Sequence, residues 1–439
     1  SKTVRSYRFI NEGGKRMKKI GIIIQLILFS IAGCMAFTSL AFSAEKPKIV
    51  GSDVLTSEKF GIEFVHKINK KYNEMQDKVT VSDLPMPYAQ TREQAILKHK
   101  SGKVPSMTFL MSQWIPELAS AGVLEPLDKY FTKEELSVYP KGFLEDVSFK
   151  GKIYAVPTYT GPIVLYANKK LLKMAGYDPV RAPKNIEDFK EMIQKVSELG
   201  PDEKGNKRYG FALRTSQDKN SAWWFVPWVW NYGGQLSDKD DNPTLDTPGF
   251  RKALEFYQWM GVNKYAPLGQ TVHDSRNLFS QGNYGFVHDG PWLRGILRNI
   301  TEQDKEKPKD PDKYIDNMYI TVMMPVGATG ESTGHANQTC QGVFSKAKNK
   351  DEIVKYLKWR SLDPWVCEQR FDLTGMMPAS TKVLSQPKYQ NDAFLKPFAD
   401  NISYMKGTPW KSIYWTGMQD IIAVAMQESL LGKDIDKIV

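Results

Sequence analysis

The sequence predicts an α/β protein built of two lobes, and three observations support this fold class. Segments with strand patterns and helix patterns alternate from residue 48 onward, as in a mostly parallel sheet covered by helices. Residues 45–439, which follow a predicted export signal, are too many for one hydrophobic core. Residues 151–189 hold a strand, a Pro-flanked loop at 157–162, a second strand and a helix start. We expect the chain to cross between packed units at that loop.

The first predicted lobe begins with alternating strands and helices. In chain order these are a strand at 48–50, a helix around 59–72, a strand at 79–84, a helix at 92–99 and a strand at 106–111. Ligands of such sheets lie at the carboxyl ends of the parallel strands. Asp53, Gln113 and Trp114 follow strand ends, so we expect them at a ligand site.

The region after the crossing contains more helices than strands. Helices are predicted at 168–175, where Gly176 supplies a C-cap, at 185–199, which has an acidic first turn, and at 251–260, 273–280 and 419–431. A short strand at 283–287 runs into Gly290, Pro291 and Trp292. The charged, Pro-punctuated stretch 305–312 is predicted to be a solvated surface loop.

The first 44 residues are predicted to direct export. We interpret 1–16 as a non-native or upstream extension, and 17–44 as a signal peptide with a basic start and an apolar run at 20–31. Two processing routes stay open: 31–34 resembles a bacterial lipobox ending at Cys34, whereas 41–43 offers small residues to an ordinary signal peptidase. The expected location is the periplasm, or a lipid anchor outside the cytoplasmic membrane.

The net charge of +11 does not indicate a nucleic-acid-binding protein. Residues 1–44 hold seven Lys or Arg and one Glu, so a surplus of +5 remains for the rest of the chain. That surplus describes a mildly basic globular surface, and no basic run is interleaved with aromatic residues that could stack on bases. We expect no nucleic-acid partner, and a monomer is the expected state.

The sequence carries no clear signal for a metal, a cofactor or catalysis. The five histidines lack metal-ligand spacing, and no phosphate-binding Gly loop or Ser/His/Asp constellation is present. We therefore expect no cofactor, no metal and no enzyme activity, although Asp289 with a second acid stays open as a glycosidase pair. Cys340 and Cys367 are predicted either to form one disulfide or to stay as two buried thiols, because spacing does not determine pairing.

Five stretches of the sequence match one protein family in their order. They are LASAGVLEPLD at 118–128, the crossover loop at 157–162, VLYANK at 164–169, FSQGNYGF at 279–286 leading to GPW at 290–292, and GVFSK at 342–346 followed by KNK at 348–350. Their order resembles that of the family 1 extracellular solute-binding proteins of ABC importers, which are maltose-binding-protein-like. The resemblance covers most of residues 45–439.

The resemblance implies a two-lobe periplasmic-binding-protein fold of type II, with crossing segments that form a hinge between the lobes. It implies an N-lobe at 45–158, a C-lobe at 159–340, a return to the N-lobe at 341–375 and a return to the C-lobe at 376–439. The crossings lie near Tyr159, near Gln341 and at 375–378. The implied function is to hold a solute in the cleft and deliver it to the permease subunits of an ABC importer.

Aromatic residues are concentrated at 223–232, where they occupy six of ten positions. A sugar has an apolar C–H face and a rim of hydroxyls, so indole rings beside carboxylates and amides suit a carbohydrate site. The resemblance places stacking rings at Trp223, Trp224 and Trp292. Core packing is the alternative interpretation for half of the run, including Trp228 and Trp230. We therefore predict a mono- or oligosaccharide as the solute.

The predicted ligand-binding set is completed by Asp53, Gln113, Trp114, Tyr159, Asp289 and Trp415. Three of these have structural alternatives. Asp53 is equally well placed to cap a helix, Asp289 to cap its turn, and Trp415 to pack against Pro409.

A non-sugar solute is the alternative function, and a glycerol-phosphate diester, a polyamine and a peptide are the candidates. A phosphate would require Arg or a helix N-terminus at the cleft, and a polyamine would require acids with aromatic rings. Arg92 and Arg276 are the only arginines considered for this role, and both are interpreted as solvated helix residues. Service to a signalling receptor also stays open, because it would use the same closed form as transport.

Overall fold

The computed structural model describes residues 45–301, 309–332, 336–404 and 412–439, and Lys48–Val439 belong to one compact unit. The predicted signal peptide with Cys34 lies outside the described residues, as do His335, Trp410 and residues 305–308 of the predicted loop at 305–312. No helix in the described part of the chain is long and apolar enough to cross a membrane.

The described strands form two main sheets. They are β1 (Lys48–Asp53), β2 (Thr80–Pro85), β3 (Met107–Met111), β4 (Ser148–Phe149), β5 (Lys152–Ile153), β6 (Ala155–Pro162), β7 (Val164–Asn168), β8 (Tyr209–Phe211), β9 (Tyr284–Asp289), β10 (Tyr319–Val322), β11 (Ala336–Val343) and β12 (Met377–Pro378). The six-stranded sheet has the order β12-β6-β11-β3-β1-β2, the four-stranded sheet has the order β10-β7-β9-β8, and β4 pairs with β5 alone.

The predicted parallel pairing holds at one side of the six-stranded sheet. There β1 pairs in parallel with both β2 and β3. Beyond β3, the strands β11, β6 and β12 join in antiparallel pairs. The strand β6 ends one residue before β7 of the four-stranded sheet begins, so this part of the chain passes directly from one sheet to the other.

Helices cover both sheets. They are α1 (Lys59–Met75), α2 (Thr91–Ser101), α3 (Ile115–Ser120), α4 (Lys133–Ser137), α5 (Lys141–Asp146), α6 (Lys169–Met174), α7 (Ile186–Ser197), α8 (Lys219–Asn231), α9 (Pro248–Val262), α10 (Val272–Ser280), α11 (Trp292–Thr301), α12 (Pro311–Met318), α13 (Lys350–Leu362), α14 (Pro364–Thr374), α15 (Thr381–Leu384), α16 (Pro387–Gln390), α17 (Lys396–Tyr404) and α18 (Trp415–Leu430). Two helices differ from the sequence prediction. Helix α12 begins at Pro311, so the predicted loop 305–312 ends in a helix, and the last helix begins at Trp415 rather than at 419.

Side-chain caps explain where the helices of the second sheet begin. Asn168 accepts a hydrogen bond from the Leu171 backbone N–H at 3.2 Å, and Asn185 accepts one from Asp188 at 2.9 Å. Each cap satisfies a backbone N–H that has no partner inside its own helix. The predicted helices at 168–175 and 185–199 therefore begin one residue later, after the capping residue.

The two cysteines are free thiols, each buried in its own surroundings. Cys340 Sγ donates to the Leu110 carbonyl oxygen at 3.4 Å, and Cys367 Sγ donates to that of Ser361 at 3.3 Å. Burial raises the pKa of both thiols, which keeps them protonated. Of the two alternatives left open by the sequence, the structure has the unpaired one.

Candidate functional site

A cavity of about 450 Å³ lies between residues of the two sheets. One wall comes from the six-stranded sheet and the segments after its strands, and the other from helices α8, α10 and α11 beside the four-stranded sheet. The lining residues are Val54, Leu55, Glu58, Lys59, Tyr88, Phe109, Met111, Tyr159, Asn220, Trp223, Trp224, Val272, His273, Arg276, Asn277, Trp292, Ile296, Ile300, Thr339 and Met376. The position beyond the carboxyl ends of β1 and β3 is where ligands of open α/β sheets bind.

Four of the predicted ligand-binding residues lie on the cavity wall. Tyr159 comes from β6, Trp223 and Trp224 from α8, and Trp292 from the start of α11. The Trp223 and Trp224 rings are nearly perpendicular, with centroids 4.8 Å apart. Asn220, one helical turn earlier in α8, accepts a hydrogen bond at 3.1 Å from Trp224 Nε1 and thereby fixes the Trp224 ring. The cavity therefore brings these four aromatic residues together.

The Trp292 indole lies against two glycines. A Cβ atom built on Gly161 would lie 2.0 Å from the ring, and one built on Gly290 would lie 2.4 Å from it. Because atoms cannot approach so closely, a side chain at either position would displace the indole. The glycines of β6 and of the Gly290–Pro291 turn thus create the space that holds Trp292 at the wall.

Trp114 lies behind the first wall rather than on it. Its ring packs 5.7 Å from Tyr88 and 6.3 Å from Phe109, and both of those rings line the cavity. Gln113 and Trp415 are buried to 4% and 2% exposure, and neither lines the cavity. In this structure Tyr88 and Phe109 occupy the wall in front of Trp114. Direct ligand contact by Gln113, Trp114 and Trp415 stays a prediction.

Asp53 belongs to a buried ionic group of the six-stranded sheet, which we call the first-sheet cluster (Asp53, Arg360 and Arg370). Asp53 accepts from the Leu55 backbone N–H at 2.9 Å, from Gln341 at 3.4 Å and from Arg360. It therefore caps the short turn after β1, which is the structural alternative given above. Burial would lower the pKa of Arg360, but the Asp53 carboxylate outweighs this and raises it.

Arg370 completes the first-sheet cluster without a carboxylate of its own. Its guanidinium donates to the backbone oxygens of Thr158 and Arg360, both at 2.6 Å, and lies 5.7 Å from the centre of the Tyr159 ring. Burial lowers the pKa of Arg370. The cluster thus fixes strand β6, which carries the wall residue Tyr159.

Asp289 belongs to a second buried ionic group, which we call the second-sheet cluster (Asp289, Arg214 and Arg276). Its carboxylate accepts from Arg214 at 2.7 Å, from Arg276 at 2.8 and 2.9 Å, and from the Gly290 backbone N–H at 2.8 Å. Burial would raise the pKa of Asp289, but the guanidiniums of Arg276 and Arg214 outweigh it and hold the pKa below the ordinary value. Asp289 is fully buried and does not line the cavity.

Sequence reasoning missed Arg276, Tyr88 and Phe109 as wall residues. Arg276 was interpreted as a solvated helix residue, and that interpretation is wrong: its side chain is 13% exposed and is bound to Asp289. Arg92 is also not solvated, because its side chain is 14% exposed and pairs with Glu93 and Glu117. The signal for Arg276 was Asp289 at the end of strand β9, all of whose residues are buried, since a carboxylate buried there requires a cation.

The rest of the aromatic run builds the core. Trp228 stacks on Phe189 with ring centres 5.6 Å apart and planes 4° from parallel. Phe225 packs edge-on against Phe250 and Tyr257. Half of the run therefore has the core role that the sequence left as the alternative. Among the described residues, no group of histidine, cysteine and acidic side chains could hold a metal ion.

Comparison with known proteins identifies the family. The sequence profile described as "Bacterial extracellular solute-binding protein" matches residues 62–360. The chain belongs to this family. The resemblance predicted from the five ordered stretches is therefore confirmed, and the matched range includes the cavity residues from Tyr88 to Thr339.

Relatives of this solute-binding protein match it over most of its length. A Brucella abortus protein is 25% identical over 403 residues, which cover 91% of this chain and 92% of the relative. The maltotriose-binding protein of Pyrococcus abyssi is 24% identical over 331 residues, which cover 73% and 66%.

Solved structures share its fold. An ABC transporter solute-binding protein from Thermotoga lettingae, bound with α-D-tagatose, has a TM-score of 0.76 at 18% identity and covers 90% of this chain and 97% of its own. The predicted two-lobe α/β periplasmic-binding-protein fold is therefore confirmed. The predicted lobe boundaries at 158, 340 and 375 stay predictions.

Proposed function

We propose that this solute-binding protein binds a carbohydrate in its cavity and delivers it to the permease of an ABC importer. The observation that carries the proposal is the wall itself: the indoles of Trp223, Trp224 and Trp292 lie in one cavity with Tyr88 and Tyr159. Indole faces pack on the C–H face of a sugar ring, and the amides of the wall bind its hydroxyls.

The names of relatives support the proposal. They include a maltotriose-binding protein, an arabinooligosaccharide-binding protein of Bacillus subtilis that is 26% identical over 280 residues, and the maltodextrin-binding protein MdxE of the same organism. Their solutes are oligosaccharides of different sugars. We therefore assign the class to this chain and leave the particular sugar to experiment.

The remaining parts of the proposal concern state and location. The family is extracellular, so the protein acts outside the cytoplasmic membrane, and the signal peptide at 17–44 is proposed as the means of export. We propose a monomer that binds without catalysis and couples a closed, solute-bound form to the permease. The proposed hinge crosses at Tyr159, Gln341 and 375–378.

A glycerol-phosphate diester is the second candidate solute, and one observation favours it. A phosphate requires a cation at the cleft, and Arg276 lies on the cavity wall. The same wall has three indoles, which a small phosphodiester does not need. A carbohydrate accounts for more of the cavity.

A thermal-shift panel with titration calorimetry tests the proposal. The mature chain from residue 44 is screened against mono- and oligosaccharides, glycerol phosphates, polyamines and short peptides. A solute present at 100 times its dissociation constant adds about 2.7 kcal/mol to the free energy of unfolding, which raises the melting temperature. A rise with a sugar series supports the proposal, and a rise only with phosphates, amines or peptides rejects it.

Two indole variants then locate the site. Trp292→Ala should weaken affinity for the bound sugar at least about thirtyfold, since removing one central aromatic contact costs about 2 kcal/mol or more. Trp228→Ala is the matched control, because that indole is buried in the core and does not line the cavity. It should lower the free energy of unfolding by about 3–5 kcal/mol while the folded fraction still binds. Equal affinity losses in both variants would argue against a sugar at Trp292.

A further inference from the structure

Arg276 presents one unused donor group to the cavity. Its Nε and Nη2 atoms are both engaged by the Asp289 carboxylate, at 2.8 and 2.9 Å. No group in the described chain bonds Nη1, and the residue belongs to the cavity wall. The arginine is therefore held by two bonds, and its third nitrogen stays available to a solute in the cavity.

In the part of the chain that the structure describes, the ionic groups bonded together around Arg276 are not balanced in charge. Asp289 serves two guanidiniums, since Arg214 takes a second position on the same carboxylate and has no exposed surface. The second-sheet cluster therefore has a surplus of one positive charge. Burial, with a smaller contribution from the neighbouring Arg276, lowers the pKa of Arg214 to about 10 despite the nearby Asp289.

The other charged groups of the wall do not remove this surplus. Glu58 is the one carboxylate among the lining residues in the described chain, and it adjoins Lys59 at the start of α1. His273 adds a positive charge if it is protonated. Burial raises the pKa of Tyr88 on the aromatic wall, and the positive charge of Arg276 opposes this rise. The two side chains therefore lie near each other.

We propose that the saccharide carried by this protein bears an acidic group, and that Arg276 Nη1 binds it. The inference rests on the proposed function and narrows it from carbohydrates in general to acidic ones. A neutral hydroxyl would satisfy the N–H donor but leave the buried charge uncompensated. A carboxylate or sulfate ester satisfies both, because it accepts the hydrogen bond and also carries the compensating negative charge. The indoles beside Arg276 hold the sugar ring that carries the group.

Matched pairs of oligosaccharides test the inference. The probes are galacturonate and mannuronate oligomers of two to four residues, each beside the same oligomer with its carboxyl groups reduced to neutral hydroxymethyls. Sulfated disaccharides with their desulfated forms make a second arm, which separates the two kinds of acidic group. The acidic member of at least one pair should bind about ten- to a hundredfold more tightly, as expected for a hydrogen bond to a charged group.

The variant Arg276→Gln shows whether this residue makes the preference. It leaves Asp289 paired with Arg214 and should remove most of the preference for the acidic member, which is measured as the ratio of the acidic to the neutral affinity in the same variant. Arg276→Lys keeps the charge and should keep part of the preference. Arg181→Gln is the control, because Arg181 makes a similar two-point pair with Asp188, at 2.6 and 2.7 Å, away from the cavity. It should leave both affinities unchanged.

The possible results separate the two proposals. Equal binding of acidic and neutral members overturns the inference and leaves carbohydrate binding in place, and so does a preference that survives Arg276→Gln in a folded variant. Binding of glycerol phosphates with no saccharide bound at all overturns both. Melting curves of each unliganded variant verify folding. Where Arg276→Gln is unfolded, Arg276→Lys is measured instead: a reduced preference supports the inference, and an unchanged preference overturns it.

Discussion

The two buried ionic clusters have the same composition, one aspartate and two arginines, but their geometry differs. In the first-sheet cluster, only one of the two arginines, Arg360, bonds Asp53, and Arg370 donates to backbone oxygens. In the second-sheet cluster, Asp289 bonds both arginines. Asp53 raises the pKa of Arg360 against the effect of burial, whereas burial, together with the nearby Arg276, lowers that of Arg214 to about 10 despite Asp289.

The difference separates a structural role from a binding role. No member of the first-sheet cluster lines the cavity, and its bonds fix β1, β6 and two helices together. The second-sheet cluster places one member, Arg276, on the wall. Each cluster has one carboxylate for two guanidiniums, so the difference between them is access: of the six residues, Arg276 alone lines the cavity, where a solute can supply the missing charge.

The largest predicted effect is on stability, in Asp289→Asn. The substitution leaves Arg214 and Arg276 without a carboxylate, so we expect the free energy of unfolding to fall by more than the about 3–5 kcal/mol typical of breaking one buried pair. Asp53→Asn removes the partner of Arg360 alone, and its loss in the free energy of unfolding should lie within that range. Urea unfolding of both variants measures the two losses in the free energy of unfolding. A smaller loss in Asp289→Asn than in Asp53→Asn would contradict the shared-carboxylate description.

The second prediction compares one arginine from each cluster. Arg360→Gln leaves Asp53 buried without its cation, and we expect a loss of about 3 kcal/mol in the free energy of unfolding. Arg276→Gln leaves Asp289 with Arg214, so its loss should be smaller. Measured side by side in urea, equal losses would show that Arg276 is as structural as Arg360 and would weaken its assignment to the ligand.

The smallest predicted effect concerns pH. The pKa of Asp289 is depressed in the folded protein, so its contribution to stability is fully present above the ordinary carboxyl pKa of about 4. It is lost as the pH falls through the depressed value. The difference in unfolding free energy between wild type and Asp289→Asn should therefore be constant from pH 5 to 7 and shrink below about pH 4. A difference that is unchanged down to pH 2 would contradict the pairing.

The fold followed from the sequence where local patterns decide structure. The strands β1 to β3 and helices α1 and α2 match their predicted segments within a few residues, because their alternation and caps are local signals. Helix α8 was not predicted, although it carries half of the aromatic wall. It is buried almost all round and contains Pro227, so it lacks the polar face that marks a helix in sequence.

The site was predicted less completely, for a tertiary reason. Trp223, Trp224 and Trp292 could be named because aromatic density and family order point to them. Arg276 lies on a helix whose sequence looks solvent-facing, and only its pairing with Asp289, thirteen positions later, draws it into the wall. The position of Trp114 could not be predicted from the sequence either, because a ring that follows a strand end can be one layer behind the surface.

The perpendicular indoles of Trp223 and Trp224 have an optical consequence. Two identical chromophores with centres 4.8 Å apart share their excited states, so their circular dichroism is a coupled signal rather than the sum of two independent bands. A solute that packs against one ring changes the surroundings of that ring alone and makes the two transitions unequal. The protein thus carries its own spectroscopic reporter of occupancy, which can be read during transport assays without a label.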